Sequence, residues 1–173
     1  AIDLDPASIL NHRIYASTLY YARRYDEAIA ENIRIVEMGE DFSAVQESLI
    51  GSYRRIGEND KAFGWFVRGK EFDKETPDEI QVWKKIYAGL GWRGIFERQL
   101  EQAKESERKG KTRPFMLARL YSRLENRDQA FVYMEKAFNE RSMAMVSIKV
   151  QPDFDLLRSD PRFYDLLKRT NLE

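Results

Sequence analysis

The chain has 173 residues, with 29 Lys and Arg against 29 Asp and Glu, and no cysteine. That length builds one domain or one extended array with a real core, and zero formal charge excludes a global field toward nucleic acid or an anionic membrane, so any charge effect must be local. The lack of cysteine excludes disulfides, thiolate nucleophiles and thiolate zinc sites while fitting cytosol and periplasm alike, the cytosol preferred, and no apolar run is long enough for a membrane span or signal-peptide core.

In chain order, residues 1–8 come first, with Ile2 and Leu4 alternating with Asp3 and Asp5 ahead of Pro6. AIDLDP at 1–6 occupies columns where later stretches end a second helix, so residues 1–8 are expected to be the tail of a preceding repeat. From residue 9 a step of 34 recurs: Ala28, Ala62, Phe96 and Ala130 form one column, Leu49, Trp83 and Leu117 another, and Tyr53, Tyr87 and Tyr121 a third. Within each step the apolar residues fall at helical spacing, as in Leu49, Tyr53 and Ile56 followed by Ala62, Phe63 and Phe66. The expected architecture is therefore all-α, with four helical hairpins at about 9–42, 43–76, 77–110 and 111–141.

Small residues at 16, 28, 62, 118 and 130 are expected where two helices approach closely, because larger side chains would hold them apart. Gly39, Gly57 and Gly91 are expected at helix ends that need a left-handed residue, and Asp26, Asn59, Asp60 and Asp128 at the starts of the following helices. After Arg141 the period is expected to fail. Residues 142–173 carry two Pro-marked helix starts, Pro152 and Pro161, the latter after an Asp160 cap, and read as a capping segment in which Phe154, Leu156, Leu157, Phe163, Leu166 and Leu167 cover the apolar face of the last repeat.

This 34-residue helical hairpin, with LIGSY at 49–53 followed by Ala62 and Phe66, and LARLY at 117–121 followed by Ala130 and Met134, resembles the tetratricopeptide repeat. Departures are Asn32 in an aromatic column, Phe96 in a small-residue column and Glu125 where Gly is common. The resemblance implies a right-handed α-α superhelix with a concave groove lined by the first helix of each hairpin. The stretch from Phe131 through KVQPDFDLLRSDPRFYDLL also resembles the C-terminal end of repeat regions attached to bacterial winged-helix regulators, Ser/Thr kinases and cyclases. That implies a sensory or scaffold role within a larger signalling or transcription-regulatory chain.

The groove columns implied by the resemblance hold Arg13, Tyr20, Tyr21, Arg54, Arg55, Lys85, Phe115, Arg119 and Arg123. Charge is thus segregated in a neutral chain, and an acidic peptide or protein is the expected partner, since arginine forks two hydrogen bonds to a carboxylate and tyrosine adds flat area with a polar tip. Arg13, Ser17 and Ser48 stand where chaperone-binding members carry a Lys and Asn clamp, so a chaperone tail is not implied. The alternative is self-assembly, a homodimer through the first hairpin at Ile14, Tyr15 and Ile29.

GLGWRG at 89–94 spells a dinucleotide fingerprint, but a helical pattern precedes it where a strand is required, so the glycines read as a turn. His12 is the single histidine and reads as packing rather than as a metal ligand or base. Asp153 and Asp155 flank Phe154 at a helix start and are not read as an acid-base pair. No catalytic set, cofactor, metal or nucleic-acid partner is expected, nor insertion into a membrane.

Overall fold

Every element that the computed structural model describes is helical, over residues 8–39, 43, 45–111 and 113–172. Of the expected tail at residues 1–8, residues 1–7 lie outside the described residues, and Ser8 is the N-cap of the first helix. The α-helices are α1 (Ile9–Tyr21), α2 (Tyr25–Glu37), α3 (Gln46–Arg55), α4 (Asn59–Phe72), α5 (Pro77–Arg108), α6 (Pro114–Arg123), α7 (Arg127–Asn139) and α8 (Pro161–Arg169). Two short 3-10 helices, Met143–Ser147 and Pro152–Leu157, separate α7 from α8. The start marked by Pro152 is therefore realised as a tight 3-10 turn rather than an α-helix, with Pro152, Asp153, Phe154 and Leu157 all buried, whereas Leu156, expected in the core, is 52% exposed and Leu167 only partly buried.

The chain divides into two compact units, one through Tyr87 and one from Ala88. In the first, α1 packs on α2, α3 on α4, and α2 on α3. Ala16, Ala28 and Ala62 are at most 1% exposed, which lets neighbouring helices approach as the small-residue columns require. Ile29, Ile35, Val45 and Leu49 fill the core between them. The early stretch of α5 joins through aromatic contacts: Phe63 stacks on Tyr87 with centroids 3.8 Å apart, and Phe66 meets Trp83 edge-on at 5.3 Å. Trp83 donates its indole N–H to Glu75.

In the second unit α6 packs on α7, the Pro152–Leu157 turn on α6, and α8 on α7. Ala118, Ala130, Met134, Ile148, Phe154 and Leu166 share one core and are fully buried. Phe96 belongs with Ala103, Leu117 and Leu120, so its ring is accommodated among neighbours on α6 and the later stretch of α5.

The backbone repeats the same turn. Arg23, Gly57, Gly91 and Glu125, successive steps of 34, all have positive φ, at 65°, 83°, 58° and 61°. At three of them the helix closes identically, with Arg24 N–H donating to Leu19 O, Glu58 to Tyr53 O and Asn126 to Tyr121 O, the six-to-one bond that satisfies an orphan carbonyl at a helix C-terminus. The third turn departs. Gly91 combines φ 58° with ψ −148°, a conformation essentially confined to glycine, and helix resumes at once on either side. The expected third hairpin at 77–110 is thus two helical stretches that meet at Gly91, most of the early one counted in the first unit and all of the later one in the second.

Against the expectation that the period fails after Arg141, the step of 34 persists there in ion pairs, which an apolar pattern does not register. Arg119 pairs with Asp153, Asp128 with Arg162 and Glu135 with Arg169, each pair 34 residues apart. Asp160 caps α8 by accepting from the Arg162 backbone N–H, and hydrogen bonds from Arg162 hold its carboxyl at about 2, below the ordinary range.

Candidate interaction face

The nine residues expected on one face fall into two groups with different surroundings. In the first unit, Tyr20 on α1 is 4% exposed, and its ring lies against Gly51 of α3. A Cβ at Gly51 would come within 2.7 Å of the tyrosine hydroxyl, so glycine is what lets the ring sit there. Tyr21 and Tyr25 pack around Tyr20 with ring centroids 5.6 and 5.9 Å away.

Arg54 and Arg55 follow Gly51 by three and four residues in the last turn of α3, so the arginines and the buried tyrosine share one end of that helix. Cations are favoured there because carbonyl groups at a helix C-terminus carry partial negative charge. Arg55, Arg13 and Lys85 are exposed, while Tyr21 and Arg54 are half-buried. This group presents cationic side chains to solvent next to packed tyrosines.

The second group, on α6, is occupied from within the chain. Arg119 donates to Asp153 Oδ2 at 2.7 Å, and Arg123 donates to both carboxylate oxygens at 3.0 and 2.8 Å. Ser122 donates to the Asp153 carbonyl, and Phe115, 8% exposed, meets Phe154 edge-on at 5.5 Å. The fork that arginine makes to a carboxylate is therefore present, with Asp153 as the acid. Burial is the largest influence on the Asp153 carboxyl and pushes its pKa up; the charges and hydrogen bonds of Arg123 and Arg119 together outweigh it and hold it far below the carboxylate range.

Sequence reasoning sets Asp153 aside as a helix-start residue. Its 34-residue offset from Arg119 is the signal that identifies its role.

His12 is buried and its Nδ1 pairs with Glu31 of α2, itself buried and 3.5 Å from Arg34. Asn32, in the column where the repeat carries an aromatic, donates to Ala28 O and to Ser48 Oγ, which links α2 to α3 by a polar bridge instead of a ring. On α7, burial pushes the Tyr133 hydroxyl up to about 12, assisted by its hydrogen bond to Glu107.

Among the described residues no group of three or more His, Cys, Asp or Glu is placed to hold a metal ion, and no helix is long and apolar enough to cross a membrane. Comparison with protein-family models, with curated proteins and with solved structures gives no significant match.

Proposed function

We propose that the chain is a non-catalytic interaction module of tetratricopeptide type, each unit a stretch of right-handed superhelix. It binds an acidic peptide or helix on the first-helix faces of α1, α3 and the early stretch of α5. It serves as the sensory or scaffold region of a larger bacterial signalling or transcription-regulatory protein.

The observation that carries the ligand chemistry is internal to the molecule. Arg123 stands two steps of 34 after Arg55, in the same column, and it grips the Asp153 carboxylate through two hydrogen bonds. The first unit offers Arg55 at that column, exposed, beside Arg54 and the tyrosine cluster. An acidic peptide brings the carboxylate chemistry that this column binds in the second unit to an exposed guanidinium with flat aromatic area nearby.

The test is an array of short Asp/Glu-rich peptides carrying one aromatic residue, set against matched Asn/Gln versions. The wild-type chain is expected to prefer the acidic set, and Arg54→Glu with Arg55→Glu to weaken binding by at least about tenfold, the loss of charge-assisted hydrogen bonds. Equal binding before and after that exchange removes the assignment.

A second reading, self-assembly through α1, rests on Leu10 and Ile14, which lie one turn apart and are 62% and 58% exposed. Ile29, expected on the same face, is buried, so the available patch is smaller than the sequence suggested. Light scattering on the wild type and on Ile14→Lys decides it: a monomer at high concentration contradicts assembly, and a dimer abolished by the substitution supports it.

A further inference from the structure

We propose that the Met143–Val150 prominence of the second unit docks on an anionic phospholipid surface, with contact at headgroup depth and no crossing of the bilayer. The first 3-10 helix alternates its side chains sharply. Met145 and Ile148 point inward, 6% and 0% exposed, whereas Met143 and Val146 are 88% and 75% exposed, the two highest exposures among the large apolar side chains described.

Positions three apart lie above one another on a 3-10 helix, so Met143 and Val146 form one edge. Side chains that exposed touch almost no protein, which makes this edge a tip rather than the wall of a groove. A peptide therefore finds no cleft here. A second copy would need about 800 Å² per partner for a stable interface, more than two or three side chains provide.

The tip is also held rigidly. Ser142 N–H donates to Ala137 O, Met145 to Ser142 O, Ile148 to Met145 O, and Gln151 to Ser147 O. Its outward apolar residues are fixed by backbone bonds and by the inward anchors, so little ordering is needed on docking.

Charge completes the surface. From Arg141 to Pro152 the only ionisable side chains are Arg141 and Lys149, both exposed, with no acid between Glu140 and Asp153. Apolar side chains projecting between cations match the acyl boundary below and the anionic headgroups around it. The neutral net charge of the chain does not oppose this, because the attraction acts within a Debye length of the surface.

Vesicle sedimentation tests the proposal, using equal parts phosphatidylcholine and phosphatidylglycerol against phosphatidylcholine alone. The wild type is expected to sediment with the anionic vesicles at low salt and to be released at high salt. Arg141→Gln with Lys149→Gln should weaken binding about thirty-fold, and Met143→Ser with Val146→Ser should also release the protein. All four sites are exposed, and circular dichroism on each variant confirms its fold.

Because the chain has no cysteine, Val146→Cys carries a single environment-sensitive label. Its emission should shift to the blue on anionic vesicles while the same label at Lys61→Cys stays unchanged. Failure of the wild type to sediment, or equal sedimentation of both variant pairs with it, overturns the proposal. So does a dimer that Met143→Ser with Val146→Ser abolishes in the absence of vesicle binding, which assigns the tip to a second copy.

Discussion

Glu125 and Arg23 hold a left-handed backbone conformation at positions where Gly57 occupies the equivalent turn without steric penalty. Glu125→Gly is therefore expected to stabilise the chain by about 0.5–1 kcal/mol, and Gly57→Ala to destabilise it by about 1 kcal/mol, both measurable by urea denaturation. Gly51 makes a different demand, for space rather than for a dihedral. Gly51→Ala forces Tyr20 to shift and should cost about 1–2 kcal/mol of stability, and Tyr20→Phe in the same chain should recover part of it because the hydroxyl is the nearest atom. Asp153 is the residue with the largest expected effect: Asp153→Asn leaves Arg119 and Arg123 without their carboxylate and should destabilise by about 3–5 kcal/mol. The sign of its pH dependence follows from its depressed folded-state pKa. The unfolded chain binds the proton more readily, so this contribution is complete well above the unfolded value of about 3.9 and is lost progressively as pH falls below it toward the folded value. Acid titration of stability should be steeper for the wild type than for Asp153→Asn.

At the level of helices, the 34-residue columns made the hairpins of α1 with α2, α3 with α4 and α6 with α7 legible, because buried alanines and aromatics recur at fixed offsets. The third stretch was harder to read. Its three glycines at 89, 91 and 94 suggest an ordinary turn, yet only Gly91 leaves helical geometry, and Phe96 replaces the alanine that elsewhere permits close approach. Phe96 finds its partners at Trp92, Ala103, Leu117 and Leu120, and the guanidinium of Arg123 lies 5.3 Å from its centroid. Gly91→Ala places a Cβ on a backbone with φ 58° and ψ −148° and should cost about 1–3 kcal/mol, whereas Gly89→Ala, in helix with open space around it, should be neutral or stabilising. The C-terminal segment was legible as a cap from Pro152 and Pro161, but its register was not. Ion pairs 34 residues apart set that register, and opposite charges leave no mark in a column defined by apolar size.

For the whole molecule, the candidate face separates into a part with exposed cations and a part whose arginines hold Asp153. Phe115, Arg119 and Arg123 share the groove columns with Arg54, Arg55 and Lys85 by sequence, and only the backbone position of Asp153 shows that the former are engaged within the chain. Charge columns alone carry no such distinction, since an arginine that solvates a surface and one that clamps an internal acid look alike in sequence. The most direct measurement is amide hydrogen exchange on the intact chain, with and without a saturating acidic peptide selected from the array. The proposed role predicts new protection centred on Tyr20, Tyr21 and Gly51–Arg55, with no change at Phe115–Arg123. Protection confined to α6 or the C-terminal segment, or peptide saturation that leaves α1 and α3 exchanging as before, contradicts it.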